Sequence, residues 1–333
     1  MPHFNAIGSE FSGKDSNSAA EVRCAVQLGI VIFIIIVSET LDMLPSYDEP
    51  LFRPPSEANS LILQVTLGCS WNRCAFCEMY TTKDFRVRSE GEVSAEIEAC
   101  GRMYPQTRKV FLADGDAMVL STRRLLSILH QLKTSFPKLM RVSAYAMPRN
   151  LTSKSASELA ELRDAGLRLI YVGLESGDDD LLQLISKGET FASSVQGLLM
   201  AHEAGIQSSV MILTGLGGKQ MSHSHAVRSA ELLNETQPHY ASTLVLSLPF
   251  GRKHFLKRLQ YPFELPDKQG LLKELATFID HTRLKETIFR SDHASNYLSL
   301  KGILARDRER MLEEIQFALD HPGQLRPEWM RGL

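Results

Sequence analysis

Predicted strands alternate with predicted helices along most of the chain, and this alternation restricts the fold more than any other feature. Apolar, β-branched segments predict six strands, at Leu61–Thr66, Lys109–Ala113, Arg141–Ala146, Arg168–Leu174, Ile206–Leu213 and Tyr240–Leu248. The helices predicted between them lie at Val93–Met103, Thr122–Ser135, Ser155–Ala165, Ala192–Ala204 and Ser224–Asn234. Strand–helix units in series imply a parallel sheet covered by helices. Periodicity alone leaves open whether the sheet is flat or curled.

The rest of the chain divides into two flanking parts. Beyond Gly251 the pattern predicts a helix, a short strand and a helix, at Lys268–His281, Thr287–Arg290 and Arg306–His321. We therefore expect an N-terminal extension at 1–43, a core at 44–250 and a C-terminal extension at 251–333 that packs on the core.

Composition and charge favour an ordinary globular protein. Hydrophobic residues make up 44% of the 333 residues and charged residues 23%. The formal net charge of −2 provides no overall positive field, so nucleic acid is not favoured as a partner. The basic segment Lys253–Arg258 is more consistent with a solvated face than with a binding patch.

One apolar run, Ala25–Val37, raises the question of a membrane anchor. Its 13 residues fall short of the about 20 that a membrane-spanning helix needs. The preceding residues include acidic ones and no cleavage site follows, which argues against a signal peptide. Membrane contact is not expected, and residues 1–43 are expected to be dispensable because Met43 would be a natural start.

Three of the five cysteines, Cys69, Cys74 and Cys77, lie within nine residues after the first predicted strand. An odd count with this clustering is no disulfide framework, and it indicates thiols kept reduced in the cytoplasm. Clustered thiolates bind zinc or an iron–sulfur cluster. A closed zinc site needs a fourth ligand, which Cys24 or Cys100 could supply, but no histidine occurs between His3 and His130. A 4Fe-4S cluster on three thiolates would leave one iron open.

These cysteines and the segments after later strands resemble the radical S-adenosylmethionine (radical SAM) superfamily. The segments are Asp114-Gly115-Asp116, Tyr171–Gly177 and Ile212–Gly217. They are most similar to the subgroup that includes oxygen-independent coproporphyrinogen oxidase and the Elongator catalytic subunit. The family usually has three residues between its first two cysteines, whereas this chain has four.

The resemblance implies a fold, two cofactors and a reaction class. The fold would be α/β, a partial (β/α)6 TIM-like barrel with a C-terminal helical tail. The cofactors would be a 4Fe-4S cluster, held by the three clustered cysteines, and S-adenosylmethionine. An electron from the cluster would cleave S-adenosylmethionine to a 5′-deoxyadenosyl radical, which abstracts hydrogen from a substrate.

Eight further residues match positions that bind S-adenosylmethionine in the family. Phe76 and Leu213 would lie by the adenine, Glu175 and Ser176 by the ribose or the methionine part, and Arg149 by the carboxylate. The amino group would be held by the turn Asp114, Gly115 and Asp116. Several have a plainer interpretation: core packing for Phe76, a simple turn for the Asp-Gly-Asp segment and surface ion pairing for Arg149. Arg88 is a second candidate for the carboxylate, with the same plainer interpretation.

The remaining polar residues give weaker expectations. His223 and His225 are expected to be solvated, and the polar segment Ser291–Tyr297 is a candidate lining of the substrate site. The expected partners are a small-molecule substrate and an electron donor such as flavodoxin or ferredoxin. The absence of a second three-cysteine set argues against sulfur insertion. The alternative function is a non-catalytic iron–sulfur or haem-handling protein that retains the fold.

Overall fold

An open and mostly parallel sheet is the framework of the protein. The computed structural model describes residues 47–248, 251–259 and 261–331. Their strands are β1 (Leu61–Gln64), β2 (Thr66–Leu67), β3 (Arg86–Val87), β4 (Lys109–Ala113), β5 (Arg141–Tyr145), β6 (Leu167–Glu175), β7 (Gln207–Thr214), β8 (Tyr240–Val245), β9 (Ile288–Ser291) and β10 (Leu300–Ile303). The main sheet runs in the order β1-β4-β5-β6-β7-β8-β9-β10, and only the β9–β10 pair is antiparallel.

Helices connect successive strands of this sheet. In the described residues they are α1 (Glu90–Met103), α2 (Thr122–Ser135), α3 (Pro148–Thr152), α4 (Ala156–Ala165), α5 (Asp179–Leu184), α6 (Phe191–Glu203), α7 (Gly218–Thr236), α8 (Arg252–Leu259), α9 (Lys268–His281) and α10 (Leu304–Asp320). Short 3-10 helices lie at Pro55–Glu57, Ala117–Val119, Pro322–Gln324 and Glu328–Met330. No helix in these ranges is long and apolar enough to cross a membrane, and the apolar run at 25–37 lies outside them.

Local sequence explains where the helices start and stop. Ser89 and Glu92 form a capping box at the start of α1, and Ser155 and Glu158 form another at the start of α4. Each box satisfies backbone N–H groups that a helix start would otherwise leave unpaired. The α4 helix closes at Gly166, whose φ of 122° favours glycine.

The two faces of the sheet have different surroundings because successive strand residues point to opposite sides. Leu63 and Leu112 belong to the large apolar core beneath the helices. Their neighbours Ile62 and Phe111 belong to a smaller cluster that also contains Tyr171. This smaller cluster fills the inside of an incomplete TIM-like barrel, as the resemblance implied.

Residues 55–60 lie at the amino-terminal end of the strands, whereas Asp48 lies near their carboxyl-terminal end, where it contacts Gln64 and Lys83. Glu57 accepts hydrogen bonds from Arg141 at the start of β5 and from the Tyr171 hydroxyl, both at 2.6 Å. The Tyr47 hydroxyl donates to the Ile62 carbonyl at 3.2 Å. The opposite, carboxyl-terminal end of the strands is where active sites of such barrels are built.

The C-terminal part contributes strands as well as helices. The predicted strand at 287–290 is β9, which pairs in parallel with β8 and continues the sheet as a seventh parallel strand. The β10 strand, which the sequence pattern did not predict, then pairs with β9. Residues after 251 are therefore hydrogen-bonded into the main sheet and do not form a purely helical tail.

Candidate functional site

The three clustered cysteines lie on one loop whose two ends are tied together. The β2 and β3 strands pair antiparallel, with Thr66 opposite Val87 and Leu67 opposite Arg86, and the loop 68–85 runs between them. All three thiols are free and partly buried. This loop directly follows β1 and β2, so the thiols lie at the carboxyl-terminal end of the sheet.

Two of the four residues between Cys69 and Cys74 form side-chain hydrogen bonds with backbone carbonyls outside this gap. Asn72 adopts a φ of 43°, a left-handed conformation that asparagine tolerates better than most residues, and its side-chain amide donates to the Tyr80 carbonyl at 2.9 Å. The Trp71 indole donates to the Ser186 carbonyl at 2.8 Å. The four-residue gap between Cys69 and Cys74 is thus accommodated by a left-handed turn at Asn72. Hydrogen bonds of Trp71 and Asn72 hold this turn in place.

Asp114, which the resemblance placed by the cofactor amino group, clamps the two ends of the cysteine loop. Its Oδ2 accepts from the Gly68 backbone N–H at 3.2 Å and from the Lys83 ammonium at 3.0 Å. Lys83 also pairs with Asp48 at 3.0 Å. Both Asp114 and Lys83 are buried. One oxygen of Asp114 therefore positions the residue before Cys69.

The next two residues of this turn lie against the loop. A methyl group at Gly115 would lie 2.6 Å from Cε2 of Tyr80 and 3.1 Å from Cβ of Cys69, so the close approach requires glycine. Asp116 is fully buried and accepts a hydrogen bond from Ser70. Burial raises the pKa of Asp116 to about 6, although the bond from Ser70 opposes this rise. Its Oδ1 has no hydrogen-bond partner among the described residues.

Glu175 lies on the opposite side of the site, at the end of β6. It is buried with a φ of 66°, a left-handed conformation that non-glycine residues seldom adopt and that often marks functional sites. Its Oε1 accepts from the Lys187 ammonium at 3.2 Å, whereas its Oε2 lacks a partner in the part of the chain described. Glu175 thus presents an unused carboxylate oxygen.

Lys187 is a site residue that the sequence analysis missed. Its ammonium lies 5.9 Å from the centre of the Phe76 ring. Burial lowers the pKa of Lys187, but Glu175 and the thiols of Cys74 and Cys77 raise it, and the net change is upward. Burial also raises the pKa of Cys74 to about 11, which Lys187 opposes. A buried cation therefore stands beside two of the clustered thiols.

The other predicted cofactor residues have partners within the protein. Arg149 pairs with Glu189 at 2.7 Å, and its guanidinium lies over the Trp71 ring at 4.2 Å. The Ser176 hydroxyl is hydrogen-bonded to Nδ1 of His225 at 2.8 Å. Leu213 is buried, and its carbonyl lies 3.2 Å from Nε2 of the same histidine. Arg88, the second candidate arginine, pairs with Glu96 on α1.

The structure shows where the two histidines and the polar segment 291–297 lie. His223 is exposed as expected, but His225 is buried, so its assignment as a solvated histidine was wrong. The reason is that α7 begins before both histidines and turns His225 toward the ends of β6 and β7. In the segment 291–297, Asn296 is buried and hydrogen-bonded to the backbone of β8 at Thr243 and Val245. Asn296 therefore satisfies backbone hydrogen-bonding groups at the end of β8.

The residues present fit an iron–sulfur cluster and a zwitterionic ligand. Three free thiols on one loop are the ligand type that iron–sulfur clusters take. In the described ranges, no three His, Cys, Asp or Glu side chains converge on a single metal ion. The unpartnered oxygens of Asp116 and Glu175 can accept from an ammonium or a hydroxyl. Lys187 can bind a carboxylate.

Comparisons with known proteins agree with this geometry. The family model described as "Radical SAM superfamily" matches residues 63–230. The haem chaperone HemW of Bacillus subtilis is 23% identical over 175 residues, which cover 52% of this chain and 45% of HemW. The chain thus spans about half the length of this relative.

Two solved structures share the fold. Coproporphyrinogen III oxidase (HemN) from Escherichia coli matches with a TM-score of 0.50 at 16% identity, over 66% of this chain and 52% of HemN. The protein anSMEcpe, solved with bound AdoMet and a peptide, matches with a TM-score of 0.50 at 14% identity, over 66% of this chain and 59% of its own. Both matches show a shared fold.

The family match covers half of the chain and includes all three clustered cysteines, the Asp-Gly-Asp turn and Glu175. The chain belongs to the radical SAM superfamily, whose members use a 4Fe-4S cluster and S-adenosylmethionine.

Proposed function

We propose that this protein is an enzyme that reductively cleaves S-adenosylmethionine and uses the product radical to abstract hydrogen from a small-molecule substrate. When bound, the reduced 4Fe-4S cluster and S-adenosylmethionine supply a 5′-deoxyadenosyl radical. The observation that carries the proposal is the position of the buried Glu175–Lys187 pair, with its unpartnered carboxylate oxygen, beside the free thiols of one loop. The expected cytoplasmic location belongs to this proposal.

The chain's own residues would divide the work of binding. Cys69, Cys74 and Cys77 would hold the cluster and leave one iron open to the amino acid part of S-adenosylmethionine. Lys187 would neutralise the ligand carboxylate, because a buried ammonium favours a nearby anion. Glu175 would accept from a ligand ammonium or hydroxyl through its unpartnered oxygen.

The remaining predicted residues would act around the ligand. Asp116 would offer its unpartnered oxygen to the ligand amino group, and Phe76 would pack against the adenine. Gly115 would allow the close approach to Cys69. We propose that four residues act through their protein partners to shape the site: Asp114, Arg149, Ser176 and Leu213.

The test is reductive cleavage without added substrate. Full-length protein, reconstituted anaerobically with iron and sulfide, receives dithionite and S-adenosylmethionine, and 5′-deoxyadenosine is quantified by chromatography. We expect 5′-deoxyadenosine from the unaltered chain and none from Cys74→Ala, which should also lose the cluster. A full cluster with no cleavage would contradict the proposal.

The similarity to HemW names the competing function, a haem-handling protein that retains the fold. The same reconstituted protein can be titrated with haem and followed by its absorption. Stoichiometric haem binding without S-adenosylmethionine cleavage would favour that alternative over the enzyme.

A further inference from the structure

The α8 helix carries a concentration of positive charge. Its eight residues include four lysines and arginines and no acidic residue. The four are Arg252, Lys253, Lys257 and Arg258. Phe255 and Leu259 are buried, whereas Lys253 and Lys257, one helical turn apart, are exposed. The helix is thus anchored by one apolar face and presents lysines to solvent on the other.

This basic helix packs directly on the cysteine loop. The Arg258 guanidinium donates to the backbone carbonyl of Cys77 at 2.7 Å. Phe255 and Leu259 share an apolar cluster with Ala75, and Phe76 packs against that cluster. The sequence alone indicated only a solvated basic segment, because the contact with Cys77 joins residues 181 positions apart. The helix that carries the exposed lysines therefore packs on the loop that holds the clustered thiols.

We propose that the exposed face of α8 is the docking surface for a small acidic electron-carrier protein of the flavodoxin or ferredoxin class. The inference rests on the proposed function, which needs one electron for each cleavage. In the docked complex the reduced carrier would lose one electron and the cluster would gain it, and no proton would need to move. Electron transfer weakens steeply with distance, so the carrier must dock close to the loop.

The positive charge of α8 favours an acidic partner protein at this surface. A positive surface speeds the encounter with an acidic protein and fixes its orientation, and both effects weaken as salt is added. The net charge of the whole chain is −2, so attraction of an acidic partner must come from a local patch. The α8 face supplies such a patch beside the cysteine loop.

The test compares a protein donor with a small chemical one. The variant Lys253→Glu/Lys257→Glu reverses the patch, and Lys133→Glu/Lys138→Glu is the matched control with the same change in net charge. Lys133 and Lys138 are exposed and lie just before β5, at the amino-terminal end of the sheet, away from the cysteine loop. Each reconstituted protein receives either reduced flavodoxin or dithionite, and initial rates of 5′-deoxyadenosine formation are measured at low and high salt.

With flavodoxin at low salt, we expect the α8 variant to be about tenfold slower or more, and the control to match the unaltered chain. With dithionite, all three proteins should react at equal rates. Equal rates with flavodoxin for the α8 variant and the control would overturn the proposal. An equal loss with both reductants would also overturn it, because α8 would then support the cysteine loop itself.

Direct binding separates this inference from the proposed function. The affinity of oxidised flavodoxin for each reconstituted protein, measured by calorimetry at low salt, requires no turnover. Weaker binding by the α8 variant than by the control supports the docking surface even if no S-adenosylmethionine is cleaved. Undetectable binding to the unaltered chain would overturn it.

Discussion

Individual side chains around the cysteine loop show what a motif can and cannot predict. The clustered cysteines, the Asp-Gly-Asp turn and Glu175 were predicted because each belongs to a short segment with recognisable chemistry. Lys83 and Lys187 were not, because their carboxylate partners lie 31 and 12 residues away and a lone lysine usually indicates a solvated surface. Asp114 was found by its motif, and only the structure shows that one of its oxygens holds the loop.

The Asp114–Lys83 pair gives a prediction at the residue scale. Removing one partner leaves the other buried charge poorly compensated, so Asp114→Asn should lower the free energy of unfolding by about 3 kcal/mol. Lys83→Met should cost at least as much, because it leaves the fully buried Asp114 carboxylate without a cation, whereas Lys83 in Asp114→Asn keeps Asp48 as a partner. The double variant should cost less than the sum of the two, as measured by urea denaturation of the three proteins.

Lys219→Met is the matched control for this pair. Lys219 pairs with Glu264 at 3.2 Å, but both side chains are mostly exposed, so the loss should stay within about 1 kcal/mol. The clamp would be refuted if Asp114→Asn were no more destabilising than this surface change, or if the two clamp variants were fully additive.

At the scale of helices and strands, positions were predicted better than boundaries. The sequence analysis expected a helix at 192–204 and the structure has α6 at Phe191–Glu203, but α7 begins at Gly218 instead of Ser224. In the sequence, the glycines at 215–218 predict a turn. In the structure, the α7 helix starts at the last of them, Gly218. The β2 and β3 strands have two residues each. This is too short to show the alternation of apolar and polar residues that predicts a strand.

The contact between α6 and β7 at His202 gives a prediction about how stability depends on pH. His202 on α6 is hydrogen-bonded through Nε2 to the Ser208 hydroxyl of β7 at 2.7 Å, and its ring lies 5.2 Å from that of His239. Burial, and then His239, lower the pKa of His202 from 6.5 to about 4. The unfolded chain therefore binds more protons between pH 6.5 and 4, and the free energy of unfolding should fall as the pH falls through this window.

The variant His202→Gln should reduce this pH dependence. Urea denaturation at pH 7 and pH 5 measures the difference in unfolding free energy for each protein. The exposed His223→Gln is the control and should retain the full difference. An unchanged pH dependence in His202→Gln would show that this histidine does not contribute.

At the scale of the whole molecule, the two ends of the incomplete barrel have separate tasks. Residues 55–60 close the amino-terminal end through Glu57, while the cysteine loop, Asp116 and Glu175 gather at the carboxyl-terminal end. The parallel order of strands was predictable from the alternation of segments. The alternation did not predict that the strands curl into a barrel, which only the family resemblance implied. The curling depends on interior residues such as Phe111 and Tyr171 that meet from different strands.

The position of segment 47–60 also bears on the chain's N-terminal part. Among the described residues, every strand of the main sheet lies at or after Leu61, and Tyr47 contacts the first of these strands. We therefore predict that a chain beginning at Met43 folds and takes up a cluster as the full chain does. Circular dichroism and iron analysis would check this, and a chain that failed to fold would contradict it.

We propose that three thiolates hold a cluster with one iron open to S-adenosylmethionine, beside Glu175 and Lys187. Low-temperature electron paramagnetic resonance of the dithionite-reduced, reconstituted full chain tests it most directly. We predict the signal of a reduced 4Fe-4S cluster whose g values change when S-adenosylmethionine is added, and no such signal from Cys74→Ala. A fully loaded cluster whose spectrum is unaffected by S-adenosylmethionine would show that no iron is open to this ligand.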